Sequence, residues 1–250
     1  MPKEMHNSIK ITLIIIAAVV VLSFAGMFFY QSNFSTTNTI SVSGQGTEKV
    51  TPDLITIYFN VDTKGATSKE ADDANSVIVN KLKNAIISLG FEESDLTTQS
   101  YNIYPIYSTS GQQITGYTAS HSLLIEFSID KKDEISSVID AGTSAGAGIS
   151  YINFELSPTL EQQYKAEAIK TASEDARVKA EAIASGFNKK LGKLVSVSLD
   201  SFNYYPMRVY DSETVSGGVS SAESAKTAVA GITPSSQDVN AFVTAVYRLK

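Results

Sequence analysis

The sequence predicts an α+β domain that follows a single transmembrane helix. Residues 11–30 contain no charged side chain, and a helix of that length spans ~30 Å, the thickness of the hydrocarbon core of a bilayer. Beyond residue 38, stretches of alternating apolar and polar residues are interspersed with stretches whose apolar residues recur every three or four positions. The first pattern is typical of half-buried strands and the second of amphipathic helices, so both kinds of element are expected in one domain.

The charges that flank the apolar segment predict its orientation. Lys3 and Lys10 precede it, and the first charged residue after it is Glu48. Because positive charge beside a span stays on the cytoplasmic side, we expect residues 1–10 in the cytoplasm. Residues 11–30 then form a signal-anchor in the lipid bilayer, residues 31–38 a linker, and residues 39–250 a domain outside the cytoplasmic membrane.

A cleaved secretory signal is the competing interpretation of residues 11–30. Ser23-Phe24-Ala25 has the small-x-small pattern of a cleavage site. The apolar run continues through Met27–Tyr30, however, and its aromatic residues stand where an interfacial belt is expected. A retained anchor is therefore the favoured prediction, and a secreted or periplasmic form after cleavage is the alternative.

Composition excludes several classes of function. The chain has no cysteine, so a disulfide framework, a thiolate nucleophile and a cysteine-ligated zinc site are impossible. Its net charge is −6, and no run of Lys or Arg forms a basic patch. Neither nucleic acid nor an anionic lipid surface is therefore an expected electrostatic partner.

The first elements of the domain are two strands and a helix. Ile40–Ser43 alternates as a strand, Gly44-Gln45-Gly46 predicts a bend or bulge, and Ile55–Val61 is a second strand. Thr67 and Glu70 have the spacing of a capping box, and Gly90 suits a left-handed helix end. The predicted apolar stripe of the helix between them comprises Ala71, Ala74, Ile78, Leu82, Ala85 and Leu89.

The next elements complete a recognisable order. Leu96–Tyr107 is an aromatic-rich strand with Pro105 at an edge or end, and it forms a hairpin with the alternating strand Tyr117–Ile129. Asp130–Ala145 is a short helix, and Tyr151–Leu156 returns as a strand. The order β-α-β-β-α-β predicts a ferredoxin-like core.

The remaining elements extend that core by a long Ala-rich helix and C-terminal strands. Leu160–Phe187 places Tyr164, Ala168, Ala172, Ala176, Ala180 and Ala184 four residues apart. A small-residue row allows close packing, whereas a coiled coil would need large residues at these positions. Leu194–Leu199 and Val239–Leu249 alternate as strands, and residues 204–236 have no strong periodicity, which predicts a mobile loop or projecting hairpin.

No catalytic, metal or cofactor site is expected. His121 is the one histidine of the domain, since His6 lies before the span, and its place on an apolar strand face favours a structural role. The acidic pairs Asp72-Asp73, Glu92-Glu93 and Glu174-Asp175 fit solvated helix surfaces better than a glycosidase pair. Gly44-x-Gly46 and Gly146-x-Gly148 lack the rest of a phosphate-binding motif.

Tyrosine is the unusual residue of this domain. Exposed tyrosines bury a large area on binding with little loss of side-chain entropy. Ordinary packing at sheet edges is the other explanation for them. The expected interface or ligand contacts are Tyr104, Tyr107, Tyr117, Tyr204 and Tyr205.

Several fragments in order resemble the SIMPL-domain family of exported proteins. They are Ile40–Gly46, Thr51–Asp53, Asp95–Thr98, Tyr104–Tyr107, Ile114–Ala119, Gly146–Gly148, Ala166–Ala184, Leu191-Gly192 and Ile232–Pro234. The resemblance implies an exported, self-associating α+β protein with a loose link to stress tolerance and with no established activity or cofactor. The Ser- and Ala-rich residues 211–231 and the uncleaved anchor depart from the family pattern.

We therefore expect a membrane-anchored, non-enzymatic SIMPL domain that acts as a homo-oligomeric scaffold or envelope-stress factor. A module that binds a sugar, peptide or lipid headgroup through the tyrosine hairpin or residues 204–236 is the first alternative. A hydrolase that uses acidic residues is the second.

Overall fold

The computed structural model describes residue 12, residues 16–25, residue 27, residues 38–211 and residues 221–250, excluding the side chains of 211, 221 and 222. The predicted cytoplasmic residues 1–10 and residues 31–37 of the linker lie outside this part. Residues 16–25 are helical and their side chains are exposed. Within the described residues no helix has both the length and the apolar character needed to cross a bilayer.

The fold is mixed α and β, with two antiparallel sheets. The strands are β1 (Thr39–Val50), β2 (Leu54–Gly65), β3 (Leu96–Tyr107), β4 (Ile114–Ser128), β5 (Gly148–Glu155), β6 (Leu191–Asn203), β7 (Met207–Asp211) and β8 (Gln237–Leu249). The helices after residue 38 are α1 (Ser68–Ser88), α2 (Ile135–Ala145), α3 (Pro158–Gly186) and α4 (Ser221–Val229). One sheet has the order β3-β4-β2-β5-β7 and the other β1-β8-β6.

The chain divides into two compact units. The small unit comprises Met1–Gly44, Ala176–Ser198 and Thr244–Lys250, and the large unit comprises Gln45–Asp175 and Leu199–Val243. The main core of the large unit lies between one face of the five-stranded sheet and helices α1, α2 and α4. Its largest fully buried side chains are Phe59, Phe154, Ile55, Ile57, Leu82, Ile86, Leu123, Ile125, Ile139 and Ile152.

Helix α1 has the predicted ends but a different buried face. Thr67 and Glu70 form the capping box, and Gly90 has φ +87°. The buried residues are Ala71, Asn75, Val79, Leu82 and Ile86. The predicted stripe is confirmed at Ala71 and Leu82 and wrong at Ala74 and Leu89, which are exposed, because the helix turns a polar residue, Asn75, toward the sheet.

Strand β1 runs without a break through Gly44-Gln45-Gly46, so the predicted bend is also wrong. Gly46 is required for another reason: a Cβ atom there would lie 2.0 Å from the carbonyl oxygen of Ala168 and 2.6 Å from the nitrogen of Ala172. Helix α3 thus packs its backbone directly against the strand. The alanine row makes this approach possible, since all five alanines are buried.

The alanine row packs on strands, as the small-residue interpretation predicts. In the large unit, Ala168 and Ala172 share a cluster with Val239 and Val243. In the small unit, Ala176 and Ala180 share a cluster with Val42, Ala245 and partly buried Ile40.

The described residues of the segment 204–236, which are 204–211 and 221–236, include a strand and a helix instead of a mobile loop. Within them, β7 pairs with β5 at the sheet edge and α4 packs on the core. Buried Tyr210 and Ala225 hold these two elements in place. Weak periodicity predicted a loop here, and the prediction fails because both elements are too short to show a period. Residues 212–220 lie outside the described part.

Candidate functional site

Three of the predicted tyrosines lie on the β3–β4 hairpin. Strand β3 is an edge of the five-stranded sheet, and Tyr104 and Tyr107 are exposed on it to 49% and 56%. Tyr117 faces Pro105 across the hairpin and is half-buried. The structure therefore brings these three side chains to one sheet edge.

The other two tyrosines stand at the opposite edge, just before β7. Tyr205 is 77% exposed. The hydroxyl oxygen of Tyr204 accepts a hydrogen bond from the Leu156 amide at 2.9 Å, and burial raises the pKa of Tyr204 to about 12. Three strands separate β3 from β7, so at ~4.8 Å per strand the two tyrosine groups form separate surfaces.

Strand β6 exposes apolar side chains that the sequence alternation does not reveal. It is an edge of the three-stranded sheet, and residues 193–200 are all exposed, on both faces. Leu194, Val195, Val197 and Leu199 are exposed to 47–58%. The alanine row of α3 packs against β1 and β8, and its clusters include β6 only through Leu191 and Phe202 near the strand ends, so residues 193–200 stay uncovered.

His121 belongs to a hydrogen-bonded cluster between α1 and the sheet. Nδ2 of buried Asn75 donates to the carbonyl oxygens of Val61 at 2.8 Å and Ala119 at 3.3 Å. This assigns the amide, so Asn75 Oδ1 must accept from His121 Nδ1 at 3.2 Å. Neutral His121 then carries its proton on Nδ1, and its Nε2 accepts from the Thr98 hydroxyl at 2.8 Å.

A cavity of about 190 Å³ adjoins this cluster. It is lined by Asp72, Asn75, Ser76, Val79, Asn80, Tyr101 and His121. The Tyr101 hydroxyl donates to the Asp72 carboxylate, and desolvation, followed by that bond, raises the pKa of Tyr101 to about 12. Burial, then the charge of Lys83, lowers the pKa of His121. Both ring nitrogens of His121 form hydrogen bonds, and these bonds help to orient α1 on the sheet.

The acidic pairs bond with their own neighbours. Asp73 pairs with Lys69 at 2.6 Å, Glu93 with Lys83 at 2.7 Å, and the Asp175 carboxylate accepts from the Gln45 amide at 2.8 Å. In the part of the chain that the structure describes, no three His, Asp or Glu side chains are grouped as a metal site.

A second cavity, of about 290 Å³, lies beside the last residues of the predicted 204–236 loop. Phe154, Ile135, Val229 and Ile232 give it apolar walls, and Lys132, Asp133 and Thr233 add polar groups. It is large enough for a small organic molecule.

Sequence reasoning missed Asn75 and the exposed strand β6. A single Asn on a helix carries no periodic signal, and alternation in Leu194–Leu199 predicts a half-buried strand. Only the packing of its neighbours decides which strand stays uncovered.

Comparison with known proteins gives one consistent result. A family model described as SIMPL, a protein of unknown function (DUF541), matches residues 40–247. The 26 kDa periplasmic immunogenic protein of Brucella melitensis is 29% identical over 194 residues, which are 72% of this chain and 75% of the relative. The uncharacterized protein YggE of Escherichia coli K12 is 27% identical over 198 residues, with 77% and 78% covered. YggE of Edwardsiella ictaluri is 25% identical over 173 residues, with 67% and 70% covered.

Proposed function

Because this chain belongs to the SIMPL family, we propose that it is an extracytoplasmic, non-enzymatic domain that is tethered to the membrane and associates with copies of itself. Its relatives from Brucella are named periplasmic proteins, which supports an extracytoplasmic location. Lys3 and Lys10, which precede the apolar segment, support the same extracytoplasmic location for the domain. An envelope-stress role is the physiological setting that the family resemblance implies.

Residues 11–30 are the proposed tether. They carry no charge, and the described helical residues among them expose large apolar side chains, among them Leu22 and Phe24. Such side chains are stable in hydrocarbon and unfavourable in water. One span holds every copy of the domain in the same plane, which raises the local concentration for self-association.

The order β-α-β-β-α-β from Leu54 to Glu155 also supports a ferredoxin-like classification of the core. In sheet order, the second, third, first and fourth strands of this segment lie side by side. We propose that this core catalyses no reaction, since the polar groups around His121 form hydrogen bonds with one another and orient the core.

The exposed apolar edge of β6 carries the self-association proposal. Soluble proteins usually protect an edge strand with charges, prolines or a covering element. Here four apolar side chains stand on both faces of the edge. A second copy of the chain removes this apolar area from water.

Light scattering of the full-length protein in detergent tests this proposal. Val197→Lys places a charge on the edge, and we expect at least about tenfold weaker self-association, because burial of a valine is lost and a charge is desolvated. Val77→Lys is the matched control, because Val77 is similarly exposed on α1. A wild-type protein that stays monomeric at every concentration, or an equal effect of both substitutions, contradicts the proposal.

A ligand-binding module is the second candidate function. The exposed Tyr104 and Tyr107 favour a sugar, peptide or lipid-headgroup contact at the hairpin, and the 290 Å³ cavity favours a ligand beside residues 229–233. The paired variant Tyr104→Ser and Tyr107→Ser separates the two functions in the same scattering experiment. If the hairpin serves a ligand, this variant associates as the wild type does.

A further inference from the structure

The small unit is strongly basic, although the chain as a whole has a net charge of −6. Among its described residues Glu181 is the single acidic side chain. Its basic side chains are Arg177, Lys179, Lys189, Lys190, Lys193, Arg248 and Lys250. The sequence has no run of Lys or Arg that forms a basic patch, but the fold brings basic residues from distant segments into one unit.

Backbone pairing brings most of these charges to one end of the unit. The amide of Lys190 donates to the carbonyl oxygen of Lys250 at 2.9 Å, and the amide of Lys250 donates to that of Lys190 at 2.8 Å. Gly192 lies against Arg248, whose carbonyl oxygen would be 2.7 Å from an added Cβ. Lys189 belongs to the turn that ends α3, and its amide bonds to the Ala184 carbonyl oxygen at 2.8 Å.

An aromatic side chain projects at the same turn. Phe187 follows the last residue of α3 and is 73% exposed. We call Phe187, Lys189, Lys190, Lys193, Arg248 and Lys250 the basic end. All six are exposed, so the basic end combines positive charge with an apolar ring, as surfaces that bind the bilayer interface do.

Strand β1 begins at this end of the small unit. The amide of Leu249 donates to the carbonyl oxygen of Asn38 at 2.7 Å. Eight peptide steps join Asn38 to Tyr30, the last residue of the apolar segment, so the two residues are at most about 29 Å apart. A span through residues 11–30 therefore keeps the basic end close to the bilayer surface.

Like charges on neighbouring strands repel one another, so the cluster is unfavourable in isolation. An anionic surface reverses this effect, and each Lys or Arg near such a surface strengthens binding about fivefold at physiological salt. The charges of the basic end match that surface.

We propose that the basic end of the small unit docks on the surface of an anionic lipid bilayer, with the Phe187 ring in the headgroup layer. The inference rests on the proposed tether, which delivers the surface to the bilayer. Docking holds the small unit in a defined orientation on the membrane.

A single tryptophan reports the docking. The chain contains no Trp, so Phe187→Trp gives the full-length protein one fluorophore at the basic end. The protein is reconstituted into vesicles of phosphatidylcholine alone or of phosphatidylcholine mixed with phosphatidylglycerol, each with a shallow brominated lipid as quencher. We expect blue-shifted, quenched emission in the anionic vesicles and unquenched emission in the neutral vesicles or at about 1 M salt, where the Debye length is about 3 Å.

Charge variants test the cause. The triple variant Lys189→Gln, Lys190→Gln and Lys193→Gln in the reporter protein is expected to weaken docking about a hundredfold and to abolish quenching. The matched control replaces three exposed lysines of the large unit, Lys64, Lys81 and Lys170, with Gln and keeps the quenching.

The outcomes separate docking from tethering. Flotation of the full chain with neutral vesicles depends on the tether, whereas salt-sensitive quenching in anionic vesicles depends on the basic end. Flotation without quenching overturns the docking inference and leaves the tether intact. An equal loss of quenching in both triple variants also overturns the docking inference. Equal quenching in neutral and anionic vesicles overturns it too. So does shielding of the tryptophan reporter by added nucleic acid instead of by lipid.

Discussion

Asn75 and His121 show how one polar pair can define the contact between a helix and a sheet. The Asn75 side chain bridges carbonyl groups of β2 and β4 and leaves only its oxygen for His121. An unsatisfied group at such a buried position would cost about 1–3 kcal/mol. These hydrogen bonds therefore require the neutral His121 tautomer with its proton on Nδ1.

The lowered pKa of His121 predicts a pH-dependent stability. Burial is the main cause and Lys83 the second, so below its ordinary pKa of about 6.5 the unfolded chain binds a proton more readily than the folded chain does. The contribution of His121 is thus fully present above pH ~6.5 and is lost as the pH falls toward the folded pKa. Urea unfolding of the wild type and of His121→Asn across this range measures it.

The difference between the two unfolding free energies isolates His121 from the other titrating groups. Glu126, whose pKa is raised chiefly by desolvation, acts with the opposite sign but equally in both proteins. We expect the wild-type advantage to be constant above pH ~6.5 and to shrink below it. An advantage that grows with acidity contradicts the assigned neutral state.

At the residue scale, sequence reasoning placed His121 on the face that packs under α1 and correctly predicted the Thr67–Glu70 cap and Gly90. It could not place Asn75, because periodicity treats a polar residue as exposed. The three-dimensional partners of Asn75 come from two strands that lie 14 and 44 residues away in the chain.

At the scale of elements, the packing of α3 on β1 depends on the absence of side chains. Ala168, Ala172 and Gly46 let the helix backbone approach the strand within van der Waals contact. Thr171 and Glu48 add a hydrogen bond of 2.7 Å at the same crossing. The helix and the strand are so close here that the packing has no room for even one added methyl group.

Gly46→Ala tests this packing. The added Cβ would lie 2.0 Å from the Ala168 carbonyl oxygen, so α3 must move, and we expect a loss of about 1–3 kcal/mol in the free energy of unfolding. Gly186→Ala is the matched control, because nothing lies within 4 Å of its Cβ position. Thermal and urea unfolding measure both, and equal stability of the two variants refutes the close approach.

Most elements follow from alternation and helical spacing, whereas the segment 204–236 does not. Strand β7 and helix α4 are five and nine residues long, too short for a clear period. Tertiary contacts through Tyr210 and Ala225 stabilise them instead. The exposure of β6 was unpredictable for a related reason, since strand order in a sheet is a property of the whole chain.

At the scale of the molecule, the fold gathers charge that the sequence disperses. Lys190 and Lys250 are 60 positions apart in the chain and still exchange two backbone hydrogen bonds. An acidic composition therefore does not exclude a basic surface. Composition bounds the average field of a protein, and topology decides where each sign of charge is concentrated.

Retention of residues 11–30 decides whether the whole molecule stays at the membrane, and Ala25→Leu tests it. Signal cleavage needs a small residue at this position, whereas a retained anchor tolerates leucine in its apolar run. With a retained anchor, we expect wild type, Ala25→Leu and the control Ala17→Leu to keep the mass of the full chain, 26.8 kDa. All three are also expected to remain in the membrane fraction after an alkaline wash.

Intact-mass spectrometry of the proteins from a bacterial host, with the alkaline wash, makes the measurement. A wild-type protein that is shortened and soluble while Ala25→Leu stays intact and membrane-bound establishes the cleaved signal, and the domain then reaches the bilayer only through its own surface.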